Sequence, residues 1–143
     1  TRNETVVAGA LLLLTAGNLT QRAPLDTPLT GFIFFIFFLG FGEELLFRGY
    51  IQSRLNQAWG RPYTFFGVHW GWGLIIASVI FGVMHVVNLG SLINGNWQPS
   101  PWWGLWTFFG GLVSGFVREK TASIVAPAIL HGLPQAITTL LGF

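Results

Sequence analysis

Two adjacent carboxylates stand inside a strongly apolar stretch, Gly42-Glu43-Glu44-Leu45-Leu46-Phe47-Arg48-Gly49-Tyr50, and they are two of only five acidic residues in the 143-residue chain. Ionisable groups in such surroundings are costly to bury and usually mark function. On a helix Glu44 and Arg48 lie four apart with the acid N-terminal, the favourable order for an ion pair. Glu43 is turned away by about 100° and lacks that partner. The two glutamates are therefore expected to differ. Glu44 and Arg48 form a supporting pair, which on its own would do no more than fasten helices, and Glu43 is the candidate proton acceptor.

Three histidines are the only further proton carriers of this kind. His85 ends Phe81-Gly82-Val83-Met84-His85, with Asn88 three residues on and on the same helical face. His131 is followed four residues later by Gln135, which again puts a histidine and an amide on one face. His69, beside Trp70, reads as an interfacial structural residue, and a buried hydrogen-bonded histidine is the plain alternative for His85. Converging in one bundle, Glu43, His85, His131 and Gln135 would suffice to activate a water and to stabilise the oxyanion formed by its attack on a carbonyl. That chemistry is amide hydrolysis. Two histidines and a glutamate also make a catalytic zinc ligand set. However, the chain has no HExxH, and Glu43 as a ligand would leave Glu44, already claimed by Arg48, as the only base.

The elements that would hold these groups are membrane helices. Only 8% of the residues are charged, against ~25% in soluble domains, while 52% are hydrophobic and the mean hydropathy is +0.60. Fourteen Phe and seven Trp suit lipid-facing helices with interfacial anchors. The net charge of +2 and pI near 9.7 come from seven scattered basic residues, so nucleic acid is not an expected partner. No cysteine is present, which excludes disulfides, thiolate catalysis and Cys-ligated zinc.

In order, Val6–Gly17 reads as the end of an incomplete helix and Asn18–Thr30 as a polar connector with Pro24 and Pro28. Spans are expected at Leu29–Leu55, Phe65–Leu89, Trp102–Val117 and Ser123–Leu141, with the uncharged segment Gly90–Pro101 as a loop. Gly111 and Gly115 fit a close helix contact in lipid, and Pro127 and Pro134 are kink points in the last span. The expected fold is an all-α, polytopic transmembrane bundle of about four full spans plus a partial N-terminal helix. It is expected to form one membrane-embedded domain over residues 1–143, cut at its N-terminus from a longer protein. Arg54, Arg61, Arg118 and Lys120 fall on one side, which the positive-inside rule makes cytoplasmic.

Glu43-Glu44-Leu45-Leu46-Phe47-Arg48 resembles the EExxxR motif of the CAAX protease and bacteriocin-processing family, also called Abi proteins. Phe81–His85 resembles that family's FxxxH motif, and His131, at the end of Ala126–His131, its third. The histidine of the third motif is commonly followed four residues on by Asn, where this chain has Gln135. The resemblance runs from about Leu29 to Leu141. It implies a multi-pass integral membrane endopeptidase, of the cell membrane if bacterial, that needs no cofactor and no metal. Glu43 helped by His85 would activate water, and His131 with the amide four residues on would steady the oxyanion. It further implies membrane lipid and a peptide or prenylated protein substrate as partners. A non-catalytic immunity or scaffold protein that binds peptides and a zinc-dependent protease are the alternatives, with a proton-coupled carrier behind them.

Overall fold

The computed structural model describes residues 27–87 and 92–141. The expected helix at Val6–Gly17, the connector up to residue 26 and Asn88 lie outside the described residues. The described part consists of four helices and one short hairpin. Helix α1 spans Pro28–Trp59, the hairpin pairs β1 (Tyr63–Phe65) with β2 (Val68–Trp70), and α2 (Trp72–Val87), α3 (Pro101–Thr121) and α4 (Val125–Leu141) follow.

Helix α1 starts where the turn chemistry requires it. The Thr27 hydroxyl accepts a hydrogen bond from the Thr30 amide at 3.3 Å, and Pro28 occupies the first turn, where its missing N–H costs nothing. It stops at Gly60, whose φ of 77° is open to glycine. At 32 residues α1 is about 48 Å long, more than the ~30 Å of a bilayer core. Among the described residues it is the one helix both long and apolar enough to cross a membrane, while α2 and α4 are apolar but shorter, at 16 and 17 residues. Two stretches of α1, Phe34–Phe41 and Leu45–Gln52, are wound as π-helix, a local widening often found at functional sites.

The expected helix over Phe65–Leu89 is corrected at its start. Phe65 and Val68 to Trp70 belong to the hairpin, with Tyr63 opposite Trp70, Thr64 opposite His69 and Phe65 opposite Val68. The physical reason is the Phe66-Gly67 pair. Both residues have positive φ (47° and 75°), the backbone of a tight two-residue hairpin turn, and the flanking residues are aromatic or β-branched. His69 is exposed on this hairpin, with Nδ1 3.2 Å from the Thr64 hydroxyl.

Helices pack where side chains are absent. A methyl on Gly82 would sit 2.8 Å from the Gly104 carbonyl oxygen, and one on Gly104 would sit 2.8 Å from that of Gly82, so α2 and α3 touch backbone to backbone there. Helix α4 approaches α1 in the same way. A methyl on Gly40 would lie 2.6 Å from the Ala128 carbonyl oxygen, and one on Gly132 would strike the Phe35 carbonyl. Trp97, in the loop before α3, donates its indole N–H to the Val87 carbonyl at 2.8 Å and so closes the end of α2.

Candidate active site

The close approach of α1 and α4 at Gly40 and Gly132 sets the neighbouring turns of both helices side by side. His131 therefore meets the paired glutamates. Its Nδ1 lies 3.2 Å from Glu44 Oε1 and its Nε2 lies 3.6 Å from Glu43 Oε2. With a proton on Nδ1, His131 donates to Glu44 and turns Nε2 towards Glu43.

The two carboxylates are held differently. Glu44 is fully buried, with Arg48 Nε 3.2 Å from its Oε2 on the same helix. Arg48, also fully buried, donates through Nη2 to the Gly111 carbonyl on α3 at 3.1 Å and stacks over the Phe81 ring, 4.6 Å from its centroid. Glu43 keeps 16% of its side chain exposed, and its Oε2 makes no hydrogen bond within the described residues. One acid is thus committed to a cation and a histidine, and the other keeps a buried oxygen with no hydrogen-bond partner.

Arg48 begins a longer series. Glu44, Arg48, Gln52 and Asn56 recur every four residues and are all at most 2% exposed. An α-helix of 3.6 residues per turn would rotate such a series steadily around its axis. The wider π-turns through Gln52 counter that rotation and keep the series facing α3. There Gln52 Nε2 donates to the Gly115 carbonyl at 3.1 Å and to Glu119 Oε1 at 2.6 Å, and Asn56 Nδ2 donates to the same Glu119 oxygen at 2.6 Å. Arg61 and Arg118 complete the Glu119 site at 2.6 and 3.3 Å. Gly111 and Gly115 accordingly do more than let helices touch, because their carbonyls accept the hydrogen bonds of Arg48 and Gln52. Gln52, Asn56 and Glu119 are not among the residues expected from the sequence, although the spacing of four from Glu44 is the signal that marks the first two.

His85 and Gln135 complete the set around a cavity of about 730 Å³ lined by α1, α2, α3 and α4. Its wall includes Glu44, His85, His131 and Gln135 together with Trp103 and Thr107; Glu43 is not part of it. His85 is fixed by a 2.8 Å contact from Nδ1 to the Phe81 carbonyl, which leaves Nε2 for other use. Phe81 sits between the two histidines, its ring centroid 4.5 Å from that of His85 and 5.6 Å from that of His131 in an edge-on packing of 89°. In the sequence Phe81 only opens a motif; in the structure it is the spacer among Arg48, His85 and His131. The expected pairing of Glu43 with His85 is not the closest one, since His131 is the imidazole that reaches both acids.

Pro134, inside α4, lacks the amide that would bond the Leu130 carbonyl, and both residues line the cavity. The Gln135 side chain is half-buried and makes no hydrogen bond within the described residues. Among the described residues no group of three or more His, Asp or Glu is placed to hold a metal ion.

Residues 25–137 match the family model described as Rce1-like, type II CAAX prenyl endopeptidase. No curated protein and no solved structure matches the chain significantly.

Proposed function

The chain belongs to the Rce1-like family of type II CAAX prenyl endopeptidases, membrane-embedded proteases, and from that premise we propose that it hydrolyses a peptide bond of a lipid-modified or membrane-associated peptide within the bilayer, across four spans formed by α1 to α4. The observation that carries this reading is His131 held between Glu43 and Glu44 at the wall of a large cavity.

Glu43 is the base. Its Oε2, buried and without a hydrogen-bond partner, takes the proton of a water admitted beside His131 when substrate binds, as the hydroxide attacks the scissile carbonyl. Glu44, pinned by Arg48, holds His131 by Nδ1 and fixes which nitrogen faces Glu43. His131 Nε2, bare in that tautomer and 3.6 Å from Glu43 Oε2, accepts the proton from Glu43 and passes it to the departing amine. The Gln135 amide on the cavity wall supplies a donor for the oxyanion, while His85, whose Nδ1–H is spent on the Phe81 carbonyl, presents Nε2 there as an acceptor that orients the substrate. The apolar remainder of the wall, with Trp103, Trp106 and Leu130, suits a hydrocarbon chain attached to the peptide.

The test is cleavage of a synthetic farnesylated CAAX peptide by the protein in liposomes, with products identified by mass. Release of an intact C-terminal tripeptide is expected. Absence of cleavage for both farnesylated and unmodified peptides, by folded protein, would overturn the reading.

A further inference from the structure

Outside the cavity just described, the hairpin folds back against the bundle and leaves a second groove. This groove of about 370 Å³ is bounded by Phe65 and Trp70 of the hairpin, Leu74 and Ile75 of α2, and Phe116 and Val117 of α3. The Phe65 ring packs on Phe116 with centroids 5.9 Å apart, so the hairpin is fastened along α3 and does not project freely. Its apex is Phe66, 86% exposed and held at a positive φ that a bulky residue adopts only at a cost. Phe65 beside it is 57% exposed.

One end of the groove is basic. Val117 lies two residues before Glu119, and the Arg61 Nε donates to Glu119 Oε2 at 2.6 Å. Arg61 is 37% exposed, and its two terminal nitrogens make no other hydrogen bond within the described residues. Lys120, three residues past Val117 on α3, is exposed, and the acid there, Glu119, is 2% exposed and already engaged by four side chains. The exposed charge around this end is therefore positive.

We propose that this groove binds an acyl chain of an anionic phospholipid, with its phosphate received by the free edge of the Arg61 guanidinium. An extended peptide would bring backbone donors and acceptors into a lining that offers almost none. A hydrocarbon chain loses nothing there, and guanidinium binds phosphate through paired N–H groups. The Phe65–Phe66 apex enters the same leaflet, which repays the exposure of two aromatic rings. This site rests on the membrane setting of the chain but not on its catalytic chemistry.

The experiment is thermal unfolding of the detergent-purified full chain with phosphatidylglycerol, phosphatidylcholine of identical acyl chains, or the free fatty acid. Phosphatidylglycerol is expected to raise the midpoint by several degrees more than the other two. Arg61→Gln is expected to erase that preference, Arg61→Lys to keep part of it, and Ile75→Trp, which fills the groove, to erase the response to all three. Equal stabilisation of the wild type by the two phospholipids would overturn the proposal, as would an undiminished preference in Arg61→Gln. Those two outcomes decide the matter even where Ile75→Trp does not fold.

Discussion

His131 Nδ1 lies 3.2 Å from Glu44 Oε1, joining two residues 87 positions apart in the chain through helices that meet at glycines. The contact fixes one face of the imidazole and leaves the other for Glu43. Glu44→Gln keeps the shape of that partner but removes its charge, so His131 can settle in the other tautomer. Turnover of a lipidated peptide is expected to fall by roughly 10²-fold or more, with a much smaller change in KM. A kinetic comparison of the two parameters checks this.

The contact depends on how closely the helices approach. Gly132→Ala puts a methyl into the Phe35 carbonyl and is expected to destabilise by about 1–3 kcal/mol. It should lower activity further by moving His131 away from both acids. Gly49→Ala on α1, where a methyl meets no atom closer than 3.7 Å, serves as the matched control. Thermal unfolding in detergent and turnover of the two variants side by side distinguish them.

Arg48 holds the buried series in place. Arg48→Met leaves Glu44 fully buried without its cation, and a cost of about 3–5 kcal/mol is expected from breaking such a pair. The double variant Arg48→Met with Glu44→Leu removes both charges and should recover much of that loss without recovering activity. Unfolding midpoints of the three proteins check the sign and the recovery.

Gln135 stands on the cavity wall where related motifs commonly carry Asn. Gln135→Ala is expected to lower kcat by roughly 10²–10³-fold if its amide steadies the oxyanion. Gln135→Asn shortens the side chain by one methylene and is expected to retain a measurable part of the rate. Steady-state kinetics of both variants would separate loss of the amide from displacement of it.

Much of this was legible along single helices. The order and spacing of Glu44 and Arg48 announce their ion pair, and the apolar runs announce α1 to α4 to within a few residues at most ends. The hairpin was hidden because Tyr63 to Trp70 is as apolar and aromatic as a span, and the Phe66-Gly67 turn is a two-residue signal inside it. What sequence could not show is which faces meet. That His131 rather than His85 reaches the glutamates depends on the backbone approach at Gly40 and Gly132, a long-range packing outcome with no local pattern.

The central claim is that Glu43 supplies the base while Glu44 and Arg48 only hold His131. Its most direct measurement is cleavage of a farnesylated CAAX peptide in liposomes by wild type and Glu43→Gln, with unfolding midpoints recorded for both. A fall in turnover of roughly 10²–10⁴-fold is expected, with the midpoint nearly unchanged because Glu43 Oε2 has no hydrogen-bond partner to lose. Turnover by Glu43→Gln at the wild-type level would contradict the account.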